Sequence, residues 1–256
     1  YLVLTAMLAL NVAKEVLNAF ILVDEGLVTT TENFAAKNTS MYSTFAKEAE
    51  LNPVKAGEWK SKADDVKRKS DELFAFMHEC KTDILSIKEE EAIIEGSTEI
   101  NWDEVDAKDN MDHPAEVMMV RGKASELKAK IDEHREYMLS MIEDKEKYSG
   151  IVEAIEGILT TETPDVKLEH SGKKVTPTWE NTYFEHLPLA SVITLLSNMQ
   201  ANVRNAESEM IDYLLDQIEA GDIGFNAIRA VVMPERSLVF PGEQYRAKVF
   251  LAAYDS

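Results

Sequence analysis

The residues able to carry chemistry are few and widely scattered. The five histidines, His78, His113, His134, His170 and His186, form no H-x-x-x-H or E-x-x-H pair, the spacings that put two ligands on one helix face. His134 lies in an apolar seam, where a packed side chain is expected rather than a ligand. The acidic run from Asp103 to Asp112 has carboxylates enough for calcium. It lacks the alternating ligands and central glycine of an EF-hand loop, and reads as a solvated loop. None of the ten glycines belongs to a G-x-x-x-x-G-K-[ST], G-x-G-x-x-G or G-x-S-x-G motif, so phosphate-cradle and hydrolase-elbow signals are missing. Cys80 is the only cysteine, which excludes an intrachain disulfide. Its seam position predicts a buried thiol with a raised pKa rather than a nucleophile. These residues suggest no catalytic, cofactor or metal site, and the chain is not expected to be an enzyme.

The polar residues with most to explain are Asn11, Lys14 and Glu15, because they follow or interrupt the apolar run YLVLTAMLALNVA at 1–13. A bilayer span needs roughly 20 residues. Residues lost upstream, or continuation through Val16-Leu17 to Val23, would complete one. The expectation is a retained transmembrane helix over 1–23, truncated at its N-terminus, rather than a cleaved signal peptide. At that depth Asn11, Lys14 and Glu15 take one of two roles. Either Lys14 snorkels, Glu15 faces water and Asn11 bonds a neighbouring helix, or the three take part in ion-driven work. Lys14 is the only basic residue through position 36, against Glu15, Asp24, Glu25 and Glu32. The flank therefore lacks the Lys/Arg excess of a cytoplasmic side, and the body is expected outside the cytoplasm. The formal charge of -20 argues against nucleic acid as a partner.

Helices must position these groups. A helical pattern carries Leu27, Phe34, Met41 and Phe45 and stops at Leu51-Asn52-Pro53, so the membrane helix is expected to run unbroken into the body. A second helix starts at Pro53 and carries a heptad seam from Trp59 through Met77, Cys80 and Ile84 to Ile94. Gly96 to Pro114 is an acidic loop, and the seam resumes from Val117 through Ile131 and His134 to Tyr148. Gly150 and Gly157 are expected to interrupt the stretch 151–159, with a loop and short hairpin before Pro177. A fourth helix runs from Pro188 to Ile218 and ends at Gly221. After Gly224 the period changes to that of strands, over 227–233, 237–240 and 245–253. The predicted fold is mainly α: the membrane helix, an elongated four-helix bundle over 24–224, then the first strands of a truncated β-domain over 225–256. The long seams also suit a homodimer.

Three stretches carry a resemblance. They are YLVLTAMLALNVAKEVLNAF at 1–20, WENTYFEHLPLASVITLLSNMQANVRNAE at 179–207, and AVVMP at 230–234 with PGEQYRAKVFLAAYDS at 241–256. In this order they resemble the GldM/PorM family of gliding-motility and type IX secretion motor proteins. The resemblance implies a dimeric bacterial inner-membrane protein with one span per subunit and a cytoplasmic N-terminus. It further implies a periplasmic helical bundle as the first domain and immunoglobulin-like β-domains beyond. Its implied partners are a ring of membrane helices of the GldL/PorL type and outer-membrane-associated periplasmic components. Proton flow through the ring would turn the dimer. Tyr1 matches a family tyrosine that meets the ring, and a basic residue just upstream would complete that contact. Tyr1, Asn11, Lys14 and Glu15 are thus the expected partner contacts within the membrane. A receptor-like, ligand-sensing periplasmic bundle is the alternative architecture-compatible function.

Overall fold

The computed structural model describes residues 2–163, 168–170, 173–175, 177–220, 227–234 and 247–254. Two compact units divide at Leu215 and Asp216, and the first is mainly helical.

Helix α1 (Leu2–Leu51) is a single element of 50 residues, about 75 Å at 1.5 Å per residue. It ends because Asn52, which precedes a proline, has left the helical region at φ -135° and ψ 69°. Pro53 then opens α2 (Pro53–Leu85), where its missing N–H is one that a first helical turn leaves unpaired.

The long connection after α2 is held by backbone capture rather than by regular structure. Both Lys88 and Glu89 N–H groups donate to the Leu85 carbonyl. The Glu89 carboxylate accepts from Asp106 N at 3.0 Å and Ala107 N at 3.2 Å. Trp102 and Val105 turn inward from this otherwise acidic segment. A short α3 (Asp112–Ala115) continues into a π-turn at Glu116–Val120. Gly122, at φ 78°, makes the left-handed step that a side chain resists, and α4 (Lys123–Ser140) follows.

Next come α5 (Ser149–Ile158), the hairpin β1 (Leu168–His170) with β2 (Lys173–Val175), and α6 (Trp179–Phe184). The Thr178 hydroxyl accepts the Asn181 N–H at the start of α6. Helix α7 (Leu189–Ala220) begins where Leu189 N and Ala190 N donate to the Asn110 and Lys108 carbonyls. The acidic loop therefore supplies acceptors that a capping side chain otherwise provides.

Helices α1, α2, α4 and α7 form the bundle. Pairs between α1 and α7 advance together, Phe20 with Thr194 and Tyr42 with Glu207, so these two run parallel. Pairs from α2 to α7 and from α2 to α4 run in opposite senses, Asp71 with Arg204 and Lys81 with Ser197, then Ser70 with His134 and Glu79 with Lys123. The shared core includes Phe45, Val66, Met77, Ile84, Leu127, Ile131, Met138, Ile193, Leu196, Val203 and Met210. In the second unit, β3 (Ala227–Pro234) pairs antiparallel with β4 (Ala247–Tyr254), from Ala227 opposite Tyr254 to Pro234 opposite Ala247.

Three expectations about helix ends need correction. The second helix stops at Leu85 instead of reaching Ile94, because Glu89 turns the chain to meet residues 106 and 107. The third regular helix spans Lys123–Ser140 rather than 117–148, since the π-turn and Gly122 delay its start. Gly150 and Gly157 do not interrupt 151–159, but lie inside or at the edge of α5, whose Ile155 is buried. The hairpin expected before Pro177 is present. The strand expected at 237–240 lies outside the described residues, as does Tyr1 and the side chain of Asn11. Among the described residues no helix is long and apolar enough to cross a membrane.

Candidate functional site: polar joints between the long helices

Towards its N-terminus α1 becomes exposed, with Val16 at 49%, Leu22 at 69% and Val23 at 53% of full accessibility. Lys14 and Glu15 lie in this exposed stretch. Phe20 and Asp24 are where α1 meets the bundle. The Thr194 hydroxyl lies 3.1 Å from the Phe20 carbonyl, so only the first turn of α7 extends beyond that pair.

Asp24 is 3% exposed and Lys81 1%. Two charges so deeply buried are costly unless paired and hydrogen-bonded. The Lys81 ammonium donates to Ser197 Oγ at 2.6 Å. The Ser197 hydroxyl donates in turn to Asp24 Oδ1, and Trp102 Nε1 donates to Asp24 Oδ2 at 2.9 Å. One hydroxyl thus relays a donor from α2 to an acceptor on α1, with α7 holding the relay and the loop tryptophan closing the far side. Burial pulls the Lys81 ammonium down to about 8, against the opposing influence of the Asp24 carboxylate. At neutral pH the lysine is still mainly charged, so the chain Lys⁺ to Ser to Asp⁻ is charge-assisted at both ends.

A second joint lies 18 residues along α1, about 27 Å away by helical rise. The Tyr42 hydroxyl donates to Glu207 Oε1 at 2.8 Å. Arg204 Nη1 meets Glu207 Oε2 at 2.8 Å and Asp71 Oδ1 at 2.7 Å, and its guanidinium lies 4.6 Å from the Phe74 ring centroid. Asn38 Nδ2 donates to the Arg204 carbonyl at 3.0 Å. Glu207 is 1% exposed. Burial and the adjacent Glu207 push the Tyr42 phenol up, keeping it a neutral donor. Between the two joints, residues 25–37 of α1 include no fully buried residue. Leu27, Val28, Phe34 and Ala35 are half-buried there, so the fully buried anchors of this part of α1 are those of the two polar clusters.

A third contact joins α2 to α4, where Ser70 Oγ and His134 Nε2 are 3.2 Å apart. His134 is 4% exposed, and its Nδ1 is buried without a hydrogen-bond partner. Burial, helped by the Lys69 charge, pulls its pKa down to about 4. Because the unfolded value is about 6.5, the native state disfavours protonation; this stabilisation is complete above pH 6.5 and is lost as pH falls towards 4. The shift corresponds to on the order of 3 kcal/mol. Thermal denaturation between pH 7.5 and 4.5 should therefore show an acid-labile component that His134→Gln removes. An equal acid loss in both proteins would place its origin elsewhere.

Cys80 is fully buried, and burial pushes its thiol up to about 12, matching the expected inert seam position. Among the described residues no three His, Cys, Asp or Glu side chains gather as metal ligands. The cleft lined by Met77, Ile131, Leu159, Trp179, Tyr183 and Met199 is about 90 Å³, against roughly 300–1,000 Å³ for a small-molecule pocket.

Lys14 and Glu15 are exposed and separate from these joints, and Tyr1 and the Asn11 side chain lie outside the described residues. Asp24, Lys81, Trp102 and Ser197 were not singled out by sequence reasoning as site residues. The usable signals were a lysine beside Cys80 within an apolar seam and a lone tryptophan in an acidic loop.

A family model for the GldM N-terminal domain matches residues 15–217, and one for the GldM second domain matches 219–256. No curated protein sequence matches the chain. The first family model alone spans more than half of the chain, so the chain belongs to the GldM family and is a component of the gliding-motility and type IX secretion machinery.

Proposed function

We propose that this chain is the membrane-anchored periplasmic shaft of a rotary motor driven by proton-motive force. It transmits mechanical energy from the bacterial inner membrane to the secretion and gliding machinery. The observation that carries the reading is the continuity of α1, whose single helix enters the bundle and is tied there by buried polar joints. A helix with an unbroken hydrogen-bond ladder resists twisting and stretching better than a chain interrupted by loops.

In this reading residues 1–23 cross the inner membrane once, with the N-terminus cytoplasmic. Residues 24–224 form the periplasmic bundle, and 225–256 begin an immunoglobulin-like β-domain. The chain works as a homodimer inside a ring of GldL/PorL-type helices and engages outer-membrane-associated components at its far end. Tyr1, Asn11, Lys14 and Glu15 meet the ring, and no catalytic chemistry or cofactor is assigned to the chain.

A flexible Gly/Ser insert of roughly ten residues after Ala220 in the full-length protein tests the proposal. The insert breaks any rigid path while leaving α7 intact, so gliding and secretion should stop at normal protein level. Normal gliding and secretion with the insert in place would contradict a shaft.

A further inference from the structure

We propose that Asp24, Ser197 and Lys81, closed by Trp102, form a rotational lock that passes turning of α1 to α2 and α7. The inference rests on the shaft reading and assigns these residues a positioning role within it.

Load arriving along α1 from its exposed N-terminal stretch meets the bundle first at Phe20 and Asp24. Apolar packing there would oppose separation, but it is non-directional and tolerates a shift of a helix by one ridge. The relay is directional. Lys81 donates to Ser197 at 2.6 Å, Ser197 donates to Asp24, and the Trp102 indole occupies the second carboxylate oxygen at 2.9 Å. A residue step about the α1 axis is roughly 100°. Such a step would carry the Asp24 carboxylate away from Ser197 on α7 and from Trp102 in the loop, and leave the buried Lys81 ammonium on α2 facing only a hydroxyl. The arrangement therefore has one register, as a buried polar residue sets register in a coiled coil.

Its place in the molecule also suits this task. The second joint, at Tyr42, Glu207 and Arg204, holds the same helix further along, and residues 25–37 between the two are not fully buried. Without the first lock, the polar bonds from α1 to α7 would be the Thr194 hydroxyl on the Phe20 carbonyl and those from Lys37 onward, with no buried side chain other than Asp24 on α1 between Phe20 and Lys37 to fix its rotation. Thr29, Thr30 and Thr31 in that stretch each bond the carbonyl four residues back, turning their hydroxyls to their own helix rather than to a neighbour.

The test uses full-length protein with its membrane partners in the cell. Asp24→Asn with Lys81→Met removes both charges while leaving an amide to bond Trp102 and Ser197. Ser197→Ala breaks the relay without altering either charge. The double variant is expected to melt within about 3 °C of the parent, while Ser197→Ala, which leaves the buried Lys81 donor without its acceptor, melts roughly 2–12 °C lower; both should co-purify with the membrane partner, with gliding speed and secretion reduced roughly fivefold or more. Normal gliding and secretion in both variants would overturn the lock. So would losses that merely follow a fall in melting temperature, because the cluster would then be a structural ion pair. The Gly/Ser insert after Ala220 separates the two ideas. If the insert is harmless the shaft reading fails, whereas a disabling insert with harmless lock variants defeats the lock alone.

Discussion

Asp24→Ala should destabilise the helical unit by about 3–5 kcal/mol, seen as a fall in Tm of roughly 6–20 °C by circular dichroism. The effect is large because the substitution removes one carboxylate and strands three groups. Lys81, 1% exposed, loses the charge that opposes its desolvation. Trp102 Nε1 loses its acceptor, and Ser197 is left to bond only the Ile193 carbonyl, 3.2 Å away. Each buried donor without a partner costs about 1–3 kcal/mol. Asp24→Asn combined with Lys81→Met should lose much less, because removing both members of a buried ion pair is often neutral. The contrast is a double-mutant cycle with a large coupling term. A loss below about 1 kcal/mol for Asp24→Ala alone would show that the carboxylate is not the counter-charge of Lys81.

Arg204→Ala should be similarly costly, at about 3–5 kcal/mol, measured by urea denaturation. Its Nη1 bridges Asp71 on α2 and Glu207 on α7, and its guanidinium stacks on Phe74. Without it, Glu207 is buried with the Tyr42 hydroxyl as its remaining donor. Arg204→Lys should recover only part of the loss, since an ammonium lacks the planar group that stacks on the ring while reaching both carboxylates. Full recovery with lysine would reduce the joint to simple charge balance.

Where local spacing decides structure, the sequence was readable. The apolar positions of α7, the stop at Asn52-Pro53 and the change of period after Gly224 all follow from side-chain repeat and backbone restriction. The ends of α2 and α4 did not follow, because distant groups set them. Glu89 is drawn to the amides of residues 106 and 107, and a π-turn and the left-handed Gly122 precede α4. Ile155 similarly holds α5 together across two glycines by burial.

The polar joints were harder to see for the same reason. Ser197 lies 173 positions from Asp24 and 116 from Lys81, and no local pattern relates them. Each has a seam-compatible neighbour, Cys80 beside Lys81 and Leu196 beside Ser197, so the apolar repeat masks the polar partner. The acidic loop was read as solvated, yet Trp102 leaves it to cap Asp24. The loop's exposed carboxylates and its one buried indole have different structural tasks.

These joints give the proposed shaft its physical content. Apolar packing supplies most of the bundle's cohesion, while the buried bonds give α1 one rotational register against its neighbours. Stability and transmission are thus separable, and variants that keep the first can lose the second.

The most direct measurement of the shaft is to follow a probe on the periplasmic bundle of the full-length protein, held in its membrane complex, while the proton gradient is imposed and then collapsed. The account predicts rotation of the probe that stops when the gradient is removed. A probe that stays fixed while secretion proceeds under an intact gradient would contradict it.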